Sequence, residues 1–389
     1  MEIGLNAINF FPGRMGGIEV YFRNLLLHLQ QVDRENRYTV LCVRPNSGEF
    51  ALSQASFRAK QYDCGRYSPG WLVRGLLRKM VRRDILTSLI NRLPIDLIHD
   101  PFTTATTEGL KFPSVLTFHD MQHEFFPEFF DRGELRRREA TFRRSAERAA
   151  RIIAISDHAR QTLTGVYGID ARKIDVIHNG CGPEFRLVDD EDELARTRDR
   201  YGLKKPFLFY PAATWPHKNH KGLFTALRLL KERGDYDGEL VLTGIAQSRN
   251  AEILGEIERS GLTGDVRVLG YIPNRELPFL YNLADMLVFP SLFEGFGIPL
   301  VEAMACGCPV VCANATSIPE VVGDAGVMFV PLFPDDIGEK ILAVLGSRDQ
   351  ARRMREAGLA RAKSFTWENA ARATVEVYGK ALREEGKRS

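Results

Sequence analysis

The most informative part of this sequence is Ser291-Leu-Phe-Glu-Gly-Phe-Gly-Ile-Pro-Leu-Val-Glu302. The apolar run Met286–Pro290, directly before it, predicts a buried strand. Gly295 and Gly297 then allow a backbone to approach a ligand closely. Pro299 suits the first turn of a helix, where its missing N–H is no loss. The stretch therefore predicts a strand, a glycine loop and a helix in sequence.

The start of this helix is a candidate anion site with a carboxylate on each side. Amides of the first helical turn have no partner inside the helix and point out of it. They belong to Phe296, Gly297, Ile298, Leu300 and Val301. Because a carboxylate repels a phosphate, Glu294 and Glu302 are better suited to accept hydrogen bonds from hydroxyls. This layout favours a sugar, a diphosphate and a ribose bound in a row.

The two glutamates have seven residues between them and match the E-x7-E motif of retaining GT-B glycosyltransferases of family 4. The surrounding phrases, residues 293–307 and 318–326, closely resemble that family. The alternative, two solvated carboxylates on a helix face, is disfavoured by the length of the matching phrase. The resemblance implies an α/β GT-B fold, with two Rossmann-like doubly wound domains facing a central cleft. It also implies that Glu294 holds the transferred sugar and Glu302 the ribose.

Length and periodicity support two domains. A chain of 389 residues is too long for one ordinary domain, and its short apolar runs alternate with helical stretches, which predicts parallel sheets. We predict an acceptor-side domain over 1–183 and a nucleotide-sugar-binding domain over 184–369. The resemblance implies that a last helix, about 370–389, packs back on the first domain. The predicted strands are Glu2–Asn9, Tyr38–Val43, Leu97–Asp100, Ser114–His119, Arg151–Ile155, Ile174–Ile177, Phe207–Pro211, Glu239–Thr243, Val266–Leu269, Met286–Phe289, Pro309–Cys312 and Val327–Val330.

Charge and cysteine usage exclude several classes of protein. A net charge of +3 argues against a nucleic-acid partner. No apolar run reaches the ~18 residues of a membrane span, and the N-terminal sequence lacks the pattern of a secretory signal. The six cysteines include no Cys-x-x-Cys, so we expect free thiols in a reducing cytoplasm. A metal site at Cys306 and Cys308 is disfavoured.

The first domain carries a glycine turn after its first strand. Gly16 and Gly17 precede a helix, which makes a phosphate-cradling loop plausible, and a simple tight turn is the alternative. The match to the family's Gly-Gly-x-Glu loop favours contact with the donor diphosphate.

Histidines end two predicted strands of this domain, where ligands of open α/β sheets bind. The resemblance implies that His119 and Asp120 face the donor sugar, with His119 supporting the reacting centre rather than acting as a general base. His99 either lines the acceptor cleft or is structural. The aromatic run Phe125–Phe130 either belongs to the core or closes the acceptor pocket.

Two basic stretches stand out. Residues 66–92 interleave cations with Trp71 and leucines, which suits a helix lying on an anionic membrane surface; an ordinary exposed helix is the alternative. Residues 136–151 also contain glutamates, and we predict a solvated helix with internal ion pairs.

The second domain begins with a strand and a loop that holds Lys218. The resemblance implies that this lysine neutralises the donor diphosphate, where a fixed cation stabilises the leaving group. Asn219 suits the cap of the following helix. The chain departs from the family at Ala212 and Ala213, one of which would be a second diphosphate-binding arginine. Arg249 and Arg14 are candidates to replace it.

The nucleoside pocket is assigned by resemblance alone. Thr243 and Gly244 are expected near the ribose and diphosphate, and Tyr271 and Ile272 beside the base. We therefore predict a retaining glycosyltransferase that uses a GDP- or UDP-linked sugar, with mannose slightly favoured, and a glycan or lipid-linked acceptor. No metal and no cofactor is expected. The alternatives are an epimerase or hydrolase of the same fold, a phosphorylase, or a non-catalytic sugar-nucleotide-binding protein.

Overall fold

A computed structural model describes residues 1–63, 84–105, 109–244 and 250–385. The chain forms two compact units, of which the second is Gly180–Thr366 and the first comprises the chain on either side of it. The predicted domain boundaries, after residues 183 and 369, come a few residues later. Most of the basic stretch 66–92, together with Arg249 and Cys64, lies outside the described residues.

The first unit is built on a parallel sheet. Within the described residues it has seven strands in the order β3-β2-β1-β4-β5-β6-β7. The strands are β1 Glu2–Ala7, β2 Arg37–Val43, β3 Phe57–Tyr62, β4 Leu97–Asp100, β5 Ser114–Phe118, β6 Arg151–Ala154 and β7 Ile174–Val176. The described helices are α1 Gly17–Val32, α2 Ile85–Ile90, α3 Gln122–Phe125, α4 Arg132–Arg148 and α5 Asp157–Tyr167, with α14 Trp367–Glu385 from the end of the chain.

Strand β3 was missed by the sequence prediction. Only its first and last residues, Phe57 and Tyr62, are buried, and the four residues between them are exposed. It pairs with β2 alone, at the edge of the sheet. Edge strands carry charged side chains because one of their sides faces water, so the apolar pattern that predicted the other strands is missing here.

Helix α14 packs against the first unit. The Trp367 ring lies 6.1 Å from that of Tyr21 in α1. Lys380 Nζ lies 2.7 Å from Asp175 Oδ1, and Arg151 Nη1 lies 2.8 Å from Glu384 Oε1. Aromatic packing and ion pairs thus attach the last helix to this sheet.

The second unit contains a parallel sheet of its own. Among the described residues its six strands have the order β10-β9-β8-β11-β12-β13. They are β8 Phe207–Pro211, β9 Glu239–Thr243, β10 Val266–Val268, β11 Met286–Phe289, β12 Val310–Ala313 and β13 Gly326–Phe329. The helices are α6 Glu191–Arg200, α7 His220–Glu232, α8 Asn250–Arg259, α9 Leu277–Leu283, α10 Ile298–Ala305, α11 Ile318–Val322, α12 Pro334–Leu345 and α13 Arg348–Ala362.

The order of strands places the candidate site. Each sheet has a topological switch point, where the order in which the chain adds strands reverses. It lies between β1 and β4 in the first unit and between β8 and β11 in the second. Ligands of doubly wound sheets bind at the carboxyl ends of such a pair. The loops that follow β8 and β11 carry Lys218 and Glu294, so the second sheet brings these residues together.

Two further predictions concern the chain as a whole. Among the described helices, none combines the length and the apolar character that a membrane crossing requires. The five described cysteines are free thiols, and four of them are buried, as the sequence predicted.

Candidate active site

Lys218 and Glu294 form an ion pair at the carboxyl ends of β8 and β11. Lys218 Nζ lies 2.6 Å from Glu294 Oε1, and the two side chains are only 16% and 11% exposed. The sequence assigned them to different parts of a donor, the lysine to the diphosphate and the glutamate to the sugar. In this structure each neutralises the other, so a phosphate that takes Lys218 as its counter-ion competes with Glu294.

The loop that carries Lys218 is fixed by neighbouring polar groups. Tyr210 Oη, at the end of β8, donates to the Lys218 carbonyl at 2.8 Å. Asn219 caps α7, as predicted, by accepting from the Gly222 amide at 3.3 Å, and its Nδ2 donates to the Pro290 and Pro331 carbonyls. These hydrogen bonds therefore restrict the conformation of the loop backbone that carries the Lys218 ammonium.

His220 is a core residue rather than a ligand. It is 3% exposed, and its ring packs on that of Tyr210 at 5.2 Å. Burial and the charge of Lys218 lower the pKa of His220 to about 4. The imidazole is therefore neutral at physiological pH, and Lys218 supplies the positive charge of this loop.

The helix start predicted to bind an anion is present. Gly297 caps α10 with φ of 98°, and a Cβ there would lie 2.7 Å from Leu300 Cδ1, so only glycine fits. Pro299 lies in the first turn, as predicted. The Leu300 amide donates to the Gly297 carbonyl at 3.0 Å, which makes it a weaker candidate for a ligand than the prediction assumed.

Glu302 lies on α10 in a poorly solvated position. Burial raises the pKa of Glu302 to about 7, although Tyr281 opposes this shift by donating from Oη to Glu302 Oε2 at 2.8 Å. The carboxyl therefore holds its proton to a higher pH than an exposed glutamate does. Its remaining lone pairs can accept from a hydroxyl, as its predicted contact with a ribose requires.

The predicted nucleoside pocket has one residue that only glycine can fill. Gly244 has φ of 143°, and a Cβ there would lie 2.5 Å from the Ala212 carbonyl oxygen. The Gly244 amide donates to the Gly270 carbonyl at 2.8 Å, which ties the ends of two strands together. Tyr271 is 66% exposed whereas Ile272 is 6% exposed, so of these two residues the tyrosine is the one that a base could reach.

His119 lies at the end of β5 in the first unit and is nearly buried. Its Nε2–H donates to the Pro101 carbonyl at 2.8 Å, which leaves Nδ1 as an acceptor. Burial lowers the pKa of His119, partly opposed by this bond and by Asp120. The neutral ring can therefore accept a hydrogen bond at Nδ1, and the contact of His119 with a donor sugar stays a prediction.

His99 is structural, so its suggested place in an acceptor cleft is wrong. It is completely buried. Its Nδ1 is bonded to Tyr378 Oη and its Nε2 to Thr117 Oγ1, both at 2.8 Å. Burial, followed by the nearby His119, lowers the pKa of His99 to about 3. Both ring nitrogens already have hydrogen-bond partners within the protein, so an acceptor substrate cannot bond to them.

The glycine loop of the first unit is open. Gly16 caps α1 with φ of 55°, and a Cβ at Gly16 or Gly17 would meet nothing within 4 Å. Glu19 fixes the loop by accepting from the Gly13 amide at 2.7 Å. Arg14, one candidate for the missing arginine, is exposed in this loop.

The aromatic and arginine-rich segments after β5 pack on one another. Phe125 is 45% exposed, the rings of Phe126 and Phe129 stack at 5.0 Å, and Arg138 lies 4.4 Å over the Phe130 ring. The run is therefore neither wholly core nor wholly surface. Helix α4 contains internal ion pairs, which Glu134, two residues before the predicted stretch, makes with Arg137 and Arg138.

Comparisons with known proteins agree with the fold and with the motifs. The family model described as "Glycosyl transferases group 1" matches residues 193–361, and that of "Glycosyltransferase Family 4" matches residues 15–185. The O-antigen chain mannosyltransferase B of Escherichia coli is 34% identical over 266 residues, which are 68% of this chain and 70% of that protein. The serotype-specific mannosyltransferase WbdA of E. coli is 33% identical over 61% of this chain, but the match spans only 29% of WbdA.

Solved structures show the same architecture at low sequence identity. Anabaena HepE, solved in complex with UDP and glucose, is 20% identical, with a TM-score of 0.76 over 98% of this chain and 100% of HepE. Sucrose-phosphate synthase from Thermosynechococcus elongatus is 19% identical, with a TM-score of 0.78 over 99% and 100% of the two chains. The predicted fold class is confirmed, and this chain belongs to the group 1 glycosyltransferases of GT-B fold.

Proposed function

We propose that this chain is a metal-independent retaining glycosyltransferase that transfers mannose from GDP-mannose to a glycan or lipid-linked acceptor in surface polysaccharide synthesis. The observation that carries the proposal is the ion pair of Lys218 and Glu294 at the switch point of the second sheet. Mannose is favoured because the relatives named above are mannosyltransferases.

We infer from the ion pair that each partner has a separate task once a donor binds. The donor diphosphate takes Lys218 as its counter-ion and frees the Glu294 carboxylate, which then accepts hydrogen bonds from the hydroxyls of the sugar. As the glycosidic bond breaks, negative charge grows on the leaving diphosphate. A positioned ammonium stabilises this charge more in the transition state than in the ground state, which lowers the barrier.

The same groups support the proposal of a metal-independent reaction. A divalent cation in a sugar-nucleotide site neutralises the diphosphate, and Lys218 with the amides at the start of α10 supplies positive charge at that place. No carboxylate is assigned as a nucleophile, because Glu294 holds sugar hydroxyls and Glu302 the ribose. Retention then follows from attack on the face that the diphosphate leaves, with a phosphate oxygen taking the proton of the acceptor hydroxyl.

We also propose that residues 66–92 bring the enzyme to the cytoplasmic face of a membrane, where a lipid-linked acceptor is available. The support is the sequence pattern of cations, Trp71 and leucines, which suits an anionic lipid surface. Co-sedimentation with vesicles that contain anionic lipid should decrease as salt increases. Binding that is absent, or that salt does not change, would contradict this part of the proposal.

The donor is tested by thermal-shift titration with GDP, UDP, ADP and dTDP, each with and without EDTA. A ligand that binds only the folded state raises the melting temperature according to its affinity. We expect GDP to give the largest shift and EDTA to leave it unchanged. A larger shift with another nucleotide would reassign the donor, and a shift abolished by EDTA would refute metal independence.

The assignment of roles is tested by variants of the ion pair. Lys218→Ala should lower transfer from GDP-mannose by about a hundredfold, the scale of a lost transition-state contact, and should weaken GDP binding. Glu294→Gln should also lower transfer but should strengthen GDP binding, because Lys218 loses the carboxylate that competes with the phosphate. Lys221→Ala, which removes an exposed lysine of α7, is the matched control. Wild-type turnover in both pair variants would refute the roles.

A further inference from the structure

Three residues other than glycine have a positive φ in the part of the chain that the structure describes. They are Thr103, Asn219 and Thr316, with φ of 66°, 53° and 51°. Asparagine tolerates this left-handed region, but a β-branched residue is a genuine outlier there because its Cβ crowds the backbone. The two threonines therefore hold strained conformations that the surrounding structure must impose.

Thr316 uses its strained conformation to hold the backbone of Glu294. Thr316 Oγ1 accepts from the Glu294 amide at 3.0 Å. The next residue, Ser317, is completely buried and donates from Oγ to the Glu294 carbonyl at 3.0 Å and to the Phe296 carbonyl at 3.2 Å. Two consecutive residues thus bond to both the N–H and the C=O of Glu294.

The position of these residues in the sheet explains the contact. Thr316 follows β12, which pairs with β11 through Leu287 and Val310, and Glu294 follows β11. The loop after one strand therefore fixes the loop after its neighbour. The left-handed turn at Thr316 aims a hydroxyl back at the Glu294 amide while the next residue reaches the carbonyl.

Thr103 has the same relation to His119 in the first unit. Thr103 Oγ1 accepts from the His119 amide at 3.2 Å, and the Thr103 amide donates to the Thr117 carbonyl at 2.9 Å. Thr103 is 4% exposed. Asn219, the third positive-φ residue, directly follows Lys218.

Positive φ angles and sequence motifs thus coincide at the same places, and two of the three positive-φ residues, Thr103 and Thr316, are strained. The sequence motifs point to His119, Lys218 and Glu294 without reference to backbone angles. Each is bonded to, or adjacent in sequence to, one of the three non-glycine residues with positive φ. Strain of this kind is concentrated at functional sites, where it fixes reacting groups in advance.

We propose that Thr103 and Thr316 are positioning residues of the transfer reaction, which act through His119 and Glu294 respectively. This inference rests on the proposed function. The threonine hydroxyl holds the backbone amide of the functional residue, and the strained φ sets the direction of that hydroxyl. Loss of either feature displaces the functional side chain, and a displacement of about 1 Å can cost a hundredfold in rate.

The test separates the hydroxyl from the strain at Thr316. Thr316→Val keeps the β-branched shape but removes the acceptor of the Glu294 amide. Thr316→Gly removes the acceptor and relaxes the backbone, and Thr316→Ser keeps the hydroxyl. Thr225→Val, which removes a hydroxyl bonded to its own helix at the Lys221 carbonyl, is the matched control. Thr103→Val and Thr103→Ser provide the same comparison for His119.

We expect kcat to fall about 10- to 100-fold in the valine and glycine variants and to stay within about threefold of wild type in the serine and control variants. The melting temperature of the glycine variant should not fall with its kcat, since relaxing the strain offsets the lost hydrogen bond. The shift in melting temperature caused by GDP should be no smaller in the Thr316 variants than in the wild type, because Glu294 is assigned to the sugar and its displacement only weakens its competition with the diphosphate for Lys218.

Each outcome decides the proposal. A lowered kcat with a GDP shift no smaller than that of the wild type, rescued by serine, supports it. Transfer within threefold of wild type in all variants refutes positioning by the threonines and leaves the proposed function intact, as does a loss of kcat that follows a loss of melting temperature. A wild-type protein that transfers no sugar from any donor overturns the proposed function, and the positioning role falls with it.

Discussion

Replacement of Glu302 by glutamine should make the protein more stable, and the gain should depend on pH. Burial raises the pKa of this carboxyl from 4.5 to about 7. The folded protein therefore holds the proton over a pH range in which the unfolded chain has lost it. Because the folded state binds more protons, the free energy of unfolding of the wild type falls as the pH rises from about 4.5 to about 7.

The size of the effect follows from the shift. A difference of about 2.5 pKa units at 1.36 kcal/mol per unit is about 3 kcal/mol. It is an upper limit, because the residue is only partly buried and solvent screens part of the cost. Below pH 4.5 the carboxyl is neutral in both states, so glutamine gives no pH-dependent advantage. Above pH 7 glutamine avoids the whole cost of an ionised carboxylate in this position.

The assay is thermal unfolding of the wild type and Glu302→Gln at several pH values between 4.5 and 8. For a unit of 150–250 residues, 1 kcal/mol corresponds to about 2–4 °C, so the difference in melting temperature should grow by up to about 6–12 °C. The contributions of the other titrating groups are the same in both proteins, so they cancel in the difference between the two melting temperatures. Tyr281→Phe is the matched control: it removes the hydrogen bond that favours the ionised form, so its stability should fall more steeply with pH than that of the wild type.

A difference in melting temperature that stays constant from pH 4.5 to 8 would refute this reasoning. It would mean that Glu302 is ionised at an ordinary pKa in the folded protein. The position of Glu302 would then be better solvated than its raised pKa implies, and the carboxylate would be available to a ribose at any physiological pH.

Three further changes probe other parts of the chain. Tyr378→Phe should lower the free energy of unfolding by about 1–3 kcal/mol, because it leaves the buried Nδ1 of His99 without its partner; urea denaturation measures this, and an unchanged midpoint would contradict the assigned bond. Gly244→Ala should lower the melting temperature, since its Cβ would lie 2.5 Å from the Ala212 carbonyl oxygen. Thermal unfolding measures this, and a melting temperature equal to that of the wild type would show that the loop adapts to the extra carbon. Tyr271→Ala should weaken GDP binding about tenfold by loss of base stacking at unchanged stability, whereas Tyr271→Phe should bind normally; calorimetric titration compares them, and equal affinities would exclude stacking.

The fold class was predictable because parallel sheets are buried on both faces. Their strands read as short apolar runs, and strands such as Leu97–Asp100 and Met286–Phe289 were found with their observed bounds. The edge strand β3 was missed because its exposed residues carry no apolar pattern. The glycines and the two glutamates were found because a tight turn and a helix fix their spacing along the chain.

Partners and burial could not be predicted, because they depend on which strands become neighbours. Lys218 and Glu294 are 76 residues apart and meet only because β8 lies beside β11. In the sequence, His99 and His119 are alike, since each is a histidine at the end of a strand. Only the tertiary structure shows that Tyr378, 279 residues later, is bonded to a ring nitrogen of His99. The sign of φ at Thr316 is likewise imposed by packing, against the preference of the residue. The apolar pattern and the motifs therefore predict the α/β fold and the candidate residues. They do not predict which of these residues meet, because contacts between distant residues are made by the packing of strands and not by local periodicity.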